Sequence, residues 1–264
     1  MKYDNITVVA IYGNGQGLSA VPAMNKTAAA LPGSRKLLIT NEHLPVSIDQ
    51  KLLGAPLDYH GYNQFCLYAL GEFIETDFAL IVQHDGWALN PDAWDDAWLE
   101  YDFIGGLTHA GREGDTFSIG YNWKHMQNPM VVQNGGLSLR SKPFLKAPTR
   151  YGIIPQAFDL HMLNNEDVQL CCFLRPYLEA QGLLFAPNDA ARMFSFEHLD
   201  PVIHADVDIT QIFGHHSRWR TLEDDNTMIW HMSETDTDSV PMERAVHDMF
   251  KNHYKYTIRY EAKP

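Results

Sequence analysis

The chain has 264 residues, 45% of them hydrophobic and 20% charged, enough for one substantial core in one large α/β domain or two small ones. Its 33 acidic residues against 20 basic ones leave a formal charge of -13. That balance argues against a nucleic-acid backbone or an anionic membrane as partner, and leaves open carboxylates gathered around a cation.

The first hundred residues alternate β-rich runs with helical patterns, which predicts a largely parallel sheet with crossover helices. Ile6–Tyr12 reads as a buried strand closed by the loop 13–17, followed by a helix over 18–31 that Pro22 weakens and Pro32-Gly33 ends. Strands are expected at 36–40 and 78–83, with a helix over 62–74 between them. Asn90-Pro91 reads as a helix start, a cap residue before a proline at the first helical position. That helix carries Trp94 and Trp98 and ends before a strand over 101–106. Residues 107–127 show no period and read as a long functional loop or insertion, with Trp123 placed to join a lid. Residues 130–140 read as two strand segments meeting at Asn134-Gly135-Gly136. Asn165 is a cap candidate for a helix with Glu166 and Asp167 in its first turn; Pro176 kinks or restarts it and Gly182 ends it. A short strand over 183–186 follows, and beyond Ala190 regularity fades.

Three cysteines, Cys66, Cys171 and Cys172, form no Cys-x-x-Cys pair, so neither a disulfide framework nor a thiolate zinc site is expected. The N-terminus lacks the pattern of a secretion signal, and no apolar run approaches the roughly 18 residues of a membrane span. A cytoplasmic protein without a transmembrane segment is the expectation.

In α/β sheets ligands bind past the carboxyl ends of the strands. Those positions hold the loop 13–17, Asn41-Glu42, His84-Asp85 and Asn134-Gly135-Gly136. The loop's Gly-x-Gly-x-Gly run departs from the dinucleotide fingerprint, whose third glycine would stand where Leu18 does; a tight turn into a helix explains it at least as well. Asp85 follows a strongly apolar strand, with Gly86 allowing close approach of a ligand, whereas Asp92, Asp95, Asp96 and Glu100 read as a solvated acidic face. Glu166-Asp167 reads either as dipole complementation at a helix start or as a general base. Of the adjacent His215 and His216, at most one can meet a given metal; with Asp85 such an imidazole would suit Mn²⁺ or Mg²⁺. Trp87 reads equally as core or as a sugar platform, and Arg140 as a phosphate ligand or an ordinary ion pair.

Six blocks in order carry a resemblance: Gln83-His84-Asp85-Gly86-Trp87, Tyr101-Asp102-Phe103-Ile104-Gly105, Asn134-Gly135-Gly136-Leu137-Ser138-Leu139-Arg140, Asn165-Glu166-Asp167-Val168, Phe194-Ser195-Phe196-Glu197 and Phe213-Gly214-His215-His216. Together they resemble a bacterial and eukaryotic family of glycosyltransferase-like proteins assigned to the GT-A type, over roughly residues 5–220. The resemblance implies a single α/β domain, Rossmann-type, with a mixed, mostly parallel sheet flanked by helices over 1–220, and residues 221–264 as an extension packed on it. It implies transfer of a sugar from a nucleotide-sugar donor, foremost a UDP-sugar, to a glycan or other hydroxyl acceptor, as in polysaccharide biosynthesis. Asp167 would be the base of an inverting reaction and Glu166 a ligand of sugar hydroxyls. Tyr12, Gly13, Asn14, Asn41, Glu42 and Gln83 would hold the nucleotide, and Asn134, Gly135 and Gly136 the donor sugar. Asp85 and His216, with His215 in reserve, would hold Mn²⁺ or Mg²⁺. Gln83 stands where the family's metal motif has its first aspartate. The alternative is a non-catalytic nucleotide-sugar or glycan-binding module of the same fold.

Overall fold

The structure, a computed structural model, describes residues 2–120, 123–159 and 161–261. Residues 121–122 of the expected loop and 262–264 of the expected extension lie outside the described residues. β1 (Ile6–Tyr12) is buried along its whole length, and its side chains alternate between two cores. Ile6, Val8 and Ala10 pack with Ala20, Met24 and Leu38 on the side of α1 (Val21–Ala30). Val9 and Ile11 pack with Ile39, Cys66 and Leu70 on the side of α2 (Tyr59–Tyr68) and α3 (Leu70–Phe73). An uninterrupted apolar run is what a strand covered on both faces requires.

Parallel to β1 lie β2 (Arg35–Thr40), followed outward by β3 (Asp49–Leu52), and on the other side β4 (Phe78–Ile81). Then come β5 (Gly86–Ala88), β6 (Phe103–Glu113), β7 (Thr116–Gly120), β8 (Gln127–Ser141), β9 (Ser195–Phe196) and β10 (Gly214–His216). Among the described residues they form one mixed ten-stranded sheet in the order β3-β2-β1-β4-β8-β6-β9-β10-β5, with β7 on β6. β8 runs antiparallel to both β4 and β6, and β9 runs parallel to β6 and β10. The Rossmann-like mixed sheet flanked by helices is therefore present, with an antiparallel ribbon set into it.

Several local expectations are corrected. Residues 90–100 form two 3-10 turns, Pro91–Ala93 and Asp96–Glu100, because Asp95 is extended and accepts the Ala97 N–H, as Asn90 accepts that of Asp92. Residues 107–127 are mostly not a loop: β6 continues to Glu113, turns at Gly114 (φ 61°) and returns as β7. Residues 127–141 are one strand whose register against β6 shifts twice; at the larger shift, the bulge, Gly105 pairs with Ser138 and Leu107 with Gln133, so five steps of β8 match two of β6. The strand at 183–186 reduces to a single bridge between Phe103 and Phe185.

After β8 the chain forms α4 (Lys142–Arg150), α5 (Glu166–Val168), a π-helical turn Gln169–Phe173, α6 (Arg175–Ala180), which Pro176 restarts, and α7 (Asn188–Phe194). The C-terminal section is regular rather than irregular. β11 (Arg220–Leu222), β12 (Thr227–Trp230) and β13 (Thr257–Tyr260) form a second sheet beside α8 (Glu234–Ser239) and α9 (Pro241–Asp248). Its Met228, Trp230, Val246 and Phe250 share one core with Trp87, Phe196 and Ile212, so the described part of the extension packs on the main sheet. Trp87 is 0% exposed and its Nε1 donates to Tyr256 Oη at 3.0 Å, which makes it core and not a sugar platform. No helix among the described residues is long and apolar enough to cross a membrane.

Candidate functional site

Asp167 stands in the first turn of α5, partly buried, where the β8 bulge reaches it. Its Oδ2 accepts the Gly135 N–H at 2.8 Å and its Oδ1 the Val168 N–H at 2.8 Å. Burial, and next the charge of Glu166, push its carboxyl up to about 6; the two N–H donors and Arg140 offset part of this rise. Such a group is ionised at neutral pH yet basic enough to take a proton.

Glu166 is spoken for. Arg140 Nη1 and Nη2 hold its two oxygens at 2.8 and 2.9 Å, and both side chains are buried. The Glu166 N–H donates to Asn63 Oδ1 at 2.8 Å. The expected ligand of sugar hydroxyls is thus the counter-charge of Arg140, and Arg140 is an ion-pair residue rather than a phosphate ligand. Arg140 Nε also donates to Ser138 Oγ, which donates to the Gly135 carbonyl, so the ion pair braces the bulge that holds Asp167. A Cβ on Gly135 would lie 2.5 Å from Arg140 Nη2 and 2.7 Å from Asp167 Cβ, so no larger residue fits. Asn165 does not cap its helix by its side chain; its Oδ1 accepts the Tyr59 hydroxyl.

His216, on β10, packs its imidazole over Gly136, where a Cβ would come within 2.3 Å of the ring. Its Nε2 lies 3.5 Å from Asp85 Oδ1, an atom buried without a hydrogen-bond partner among the described residues. His84 Nδ1 is 3.9 Å from the same oxygen, and Tyr12 Oη engages both His84 Nδ1 (2.7 Å) and the His84 N–H (2.8 Å). A hard carboxylate oxygen facing an imidazole nitrogen fits Mn²⁺ or Mg²⁺ as a two-residue set completed by other oxygens. No group of three His, Cys, Asp or Glu suited to a metal occurs among the described residues. His215, the reserve ligand, is excluded by its surroundings. Its ring is 0% exposed, enclosed by Trp87, Phe196 and Phe250, and burial drives it well below the usual histidine range.

A cavity of about 190 Å³ joins these parts: Asn134, Asp167, Glu197, His198 and His216 all line it. Asn134 Nδ2 donates to Glu197 Oε2 at 3.0 Å. The remaining expected residues stand nearer the β1 and β2 ends. Asn41 Oδ1 accepts the Gly15 N–H at 3.2 Å, joining the loops after β1 and β2, and Glu42 Oε1 lies beside Gly15. Gly13 is required by the close approach of Leu57, whose Cβ lies 2.6 Å from where a side chain on Gly13 would begin, and Asn14 turns back on Gln16. Gln83 Nε2 donates to Tyr62 Oη. Tyr59, Asn63 and His198 were not foreseen: they come from distant segments and carry no local pattern.

A search among curated proteins gives no match to the chain. The sequence profile of DUF5672, described as a protein of unknown function, matches residues 49–216, more than half of the chain, which therefore belongs to the DUF5672 family.

Proposed function

We propose that the chain is a glycosyltransferase that moves a sugar from a nucleoside diphosphate donor to a hydroxyl acceptor with inversion. One observation carries this reading: Asp167, with its carboxyl raised to about 6, lines the same cavity as His216, whose imidazole faces the buried Asp85. An acceptor hydroxyl in the cavity gives its proton to Asp167 as its oxygen bonds to the anomeric carbon. The bond from that carbon to the diphosphate breaks, and its electron pair leaves with the phosphate oxygen. Asp85 and His216 are the side chains that would hold Mn²⁺ or Mg²⁺, which when bound supplies positive charge beside the leaving group. Tyr12 orients His84. Of the three residues expected at the donor sugar, Asn134 lines the cavity, whereas the space over Gly135 and Gly136 is filled by Arg140, Asp167 and His216. The loop ends at Asn14, Asn41 and Glu42 would face the nucleotide. A UDP-sugar donor, a glycan acceptor and a cytoplasmic setting with three free cysteines complete the reading.

The second reading, a binding module without turnover, is favoured by the two-residue donor set and by Gln83 in place of an acid. Nucleotide release from a panel of UDP-, GDP- and TDP-sugars, with and without Mn²⁺, separates the two. Release that disappears in Asp167→Asn supports the transferase; tight donor binding with no release under any condition supports the module.

A further inference from the structure

A second cavity, about 310 Å³, lies against the first, and His198 lines both. We propose that this second cavity is the acceptor subsite and takes an uncharged hydroxyl compound with an apolar body; the assignment rests on the transferase reading above. Its walls are chiefly apolar, with Trp123, Trp219, Met232 and Met242 among them, and its size is that of a small-molecule pocket. The Trp123 ring stacks on His109 with centroids 5.2 Å apart, and His109 Nδ1 is 3.4 Å from Asp200 Oδ2 in a buried pair, so the indole is a fixed platform.

The balance of charge disfavours anions. Asp200 and Glu243 line this cavity with one lysine, Lys124, and Asp167 and Glu197 line its neighbour. Burial opposes ionisation of Glu243, but Arg220 and His198 outweigh it and hold the carboxyl down at about 2. The polar groups concentrate at the seam between the cavities. There His198 lies between Glu197 (3.7 Å) and Glu243 (3.6 Å), and Glu197 in turn takes the Asn134 amide. A ligand lying on the indoles would present its hydroxyl at this seam, on the side of Asp167. Trp219, Met232, Val240, Met242 and Glu243 lie beyond residue 216, where the family match ends. The C-terminal section, through these residues, sets which acceptor is taken.

The test is isothermal titration calorimetry on the full chain, with neither donor nor metal present. Phenyl β-D-glucopyranoside serves as the neutral probe, phenyl β-D-glucuronide as its anionic counterpart, and glucose as the probe lacking the apolar body. The phenyl glucoside binds, and the other two bind about tenfold more weakly or less. Trp219→Ala and Met242→Glu each weaken the phenyl glucoside by about tenfold or more. Met242 is a partly exposed residue of the first turn of α9, so its variant keeps the test alive if Trp219→Ala does not fold. Equal affinity for the three probes, no heat from the phenyl glucoside up to about 10 mM, or unchanged affinity in a folded Met242→Glu protein overturns the assignment. Probe binding in a chain that releases no nucleotide sinks only the transferase, whereas sugar transfer with probe affinity indifferent to Met242→Glu sinks only the subsite.

Discussion

Asp167 Oδ2 accepts the backbone N–H of Gly135 at 2.8 Å, which clips the candidate base to the larger of the two stretches where β8 leaves its register with β6. Only the ionised carboxylate can take a proton, and this one protonates at about pH 6. Turnover should therefore be level near pH 7 to 8 and fall about tenfold per unit below pH 6. Asp167→Asn should lose about 10³-fold in kcat while donor affinity, measured by calorimetry, stays nearly intact. Wild-type turnover in that variant would remove Asp167 from the chemistry.

The same carboxyl leaves a mark on stability. Burial and the Glu166 charge raise it from 3.8 to about 6, so the folded chain holds this proton more tightly than the unfolded one. The stabilisation is present in full below about pH 4 and is lost as pH rises through 6. Between pH 4 and pH 7 the wild type should lose on the order of 2 kcal/mol relative to Asp167→Asn. Urea melts of both proteins across that range measure it, and parallel curves would contradict the raised value.

Gly136→Ala should act on His216 rather than on the fold at large, because the added methyl meets the imidazole at 2.3 Å and the ring is the part free to swing. The expected result is a folded protein whose Mn²⁺ affinity, by calorimetry, drops about tenfold or more. Unaltered Mn²⁺ binding would separate His216 from any metal role.

How far these relationships could be read in the sequence depends on their range. The central strands announce themselves as apolar runs because both faces are covered, and Asp85 and Asp167 stand out as acids at a strand end and a helix start. The extension of β6 through Thr108-His109-Ala110-Gly111-Arg112 has no apolar alternation; its pairing is imposed by β8. The second sheet is illegible for a similar reason, since its strands are three or four residues long and are fixed by contacts with Trp87 and Phe196 far earlier in the chain. The Gly135 and Gly136 contacts are tertiary as well. The motif shows that glycines are there, and only the packing of Arg140 and His216 shows why.

Glu166→Gln removes one partner of a buried bidentate pair and leaves the Arg140 charge uncompensated. A loss of about 3 kcal/mol is expected, read by denaturant unfolding. Activity should fall through displacement of the bulge and recover partly at lower temperature. A variant as stable as wild type would show that Arg140 finds another counter-charge.

His215→Leu should be neutral or should stabilise the chain by about 1 kcal/mol, since both imidazole nitrogens are buried without partners among the described residues. Mn²⁺ affinity should be unchanged. Strong destabilisation would mean that a bound water or ion satisfies the ring.

The mismatch between β6 and β8 makes the length of the segment 134–137 a fixed quantity. Five steps against two is an odd excess, so the alternation of β8 is inverted across it while Gln133 and Ser138 still face partners on one side of β6. Removing or adding a single residue there would give an even number of steps, which ordinary alternation spans without this break, so the backbone of the segment would take another path. Gly135 would leave the Asp167 carboxylate and Gly136 the His216 ring, and the base would lose its anchor without any change to its own sequence. Substitutions in this stretch keep its length; insertions and deletions change where the backbone itself runs.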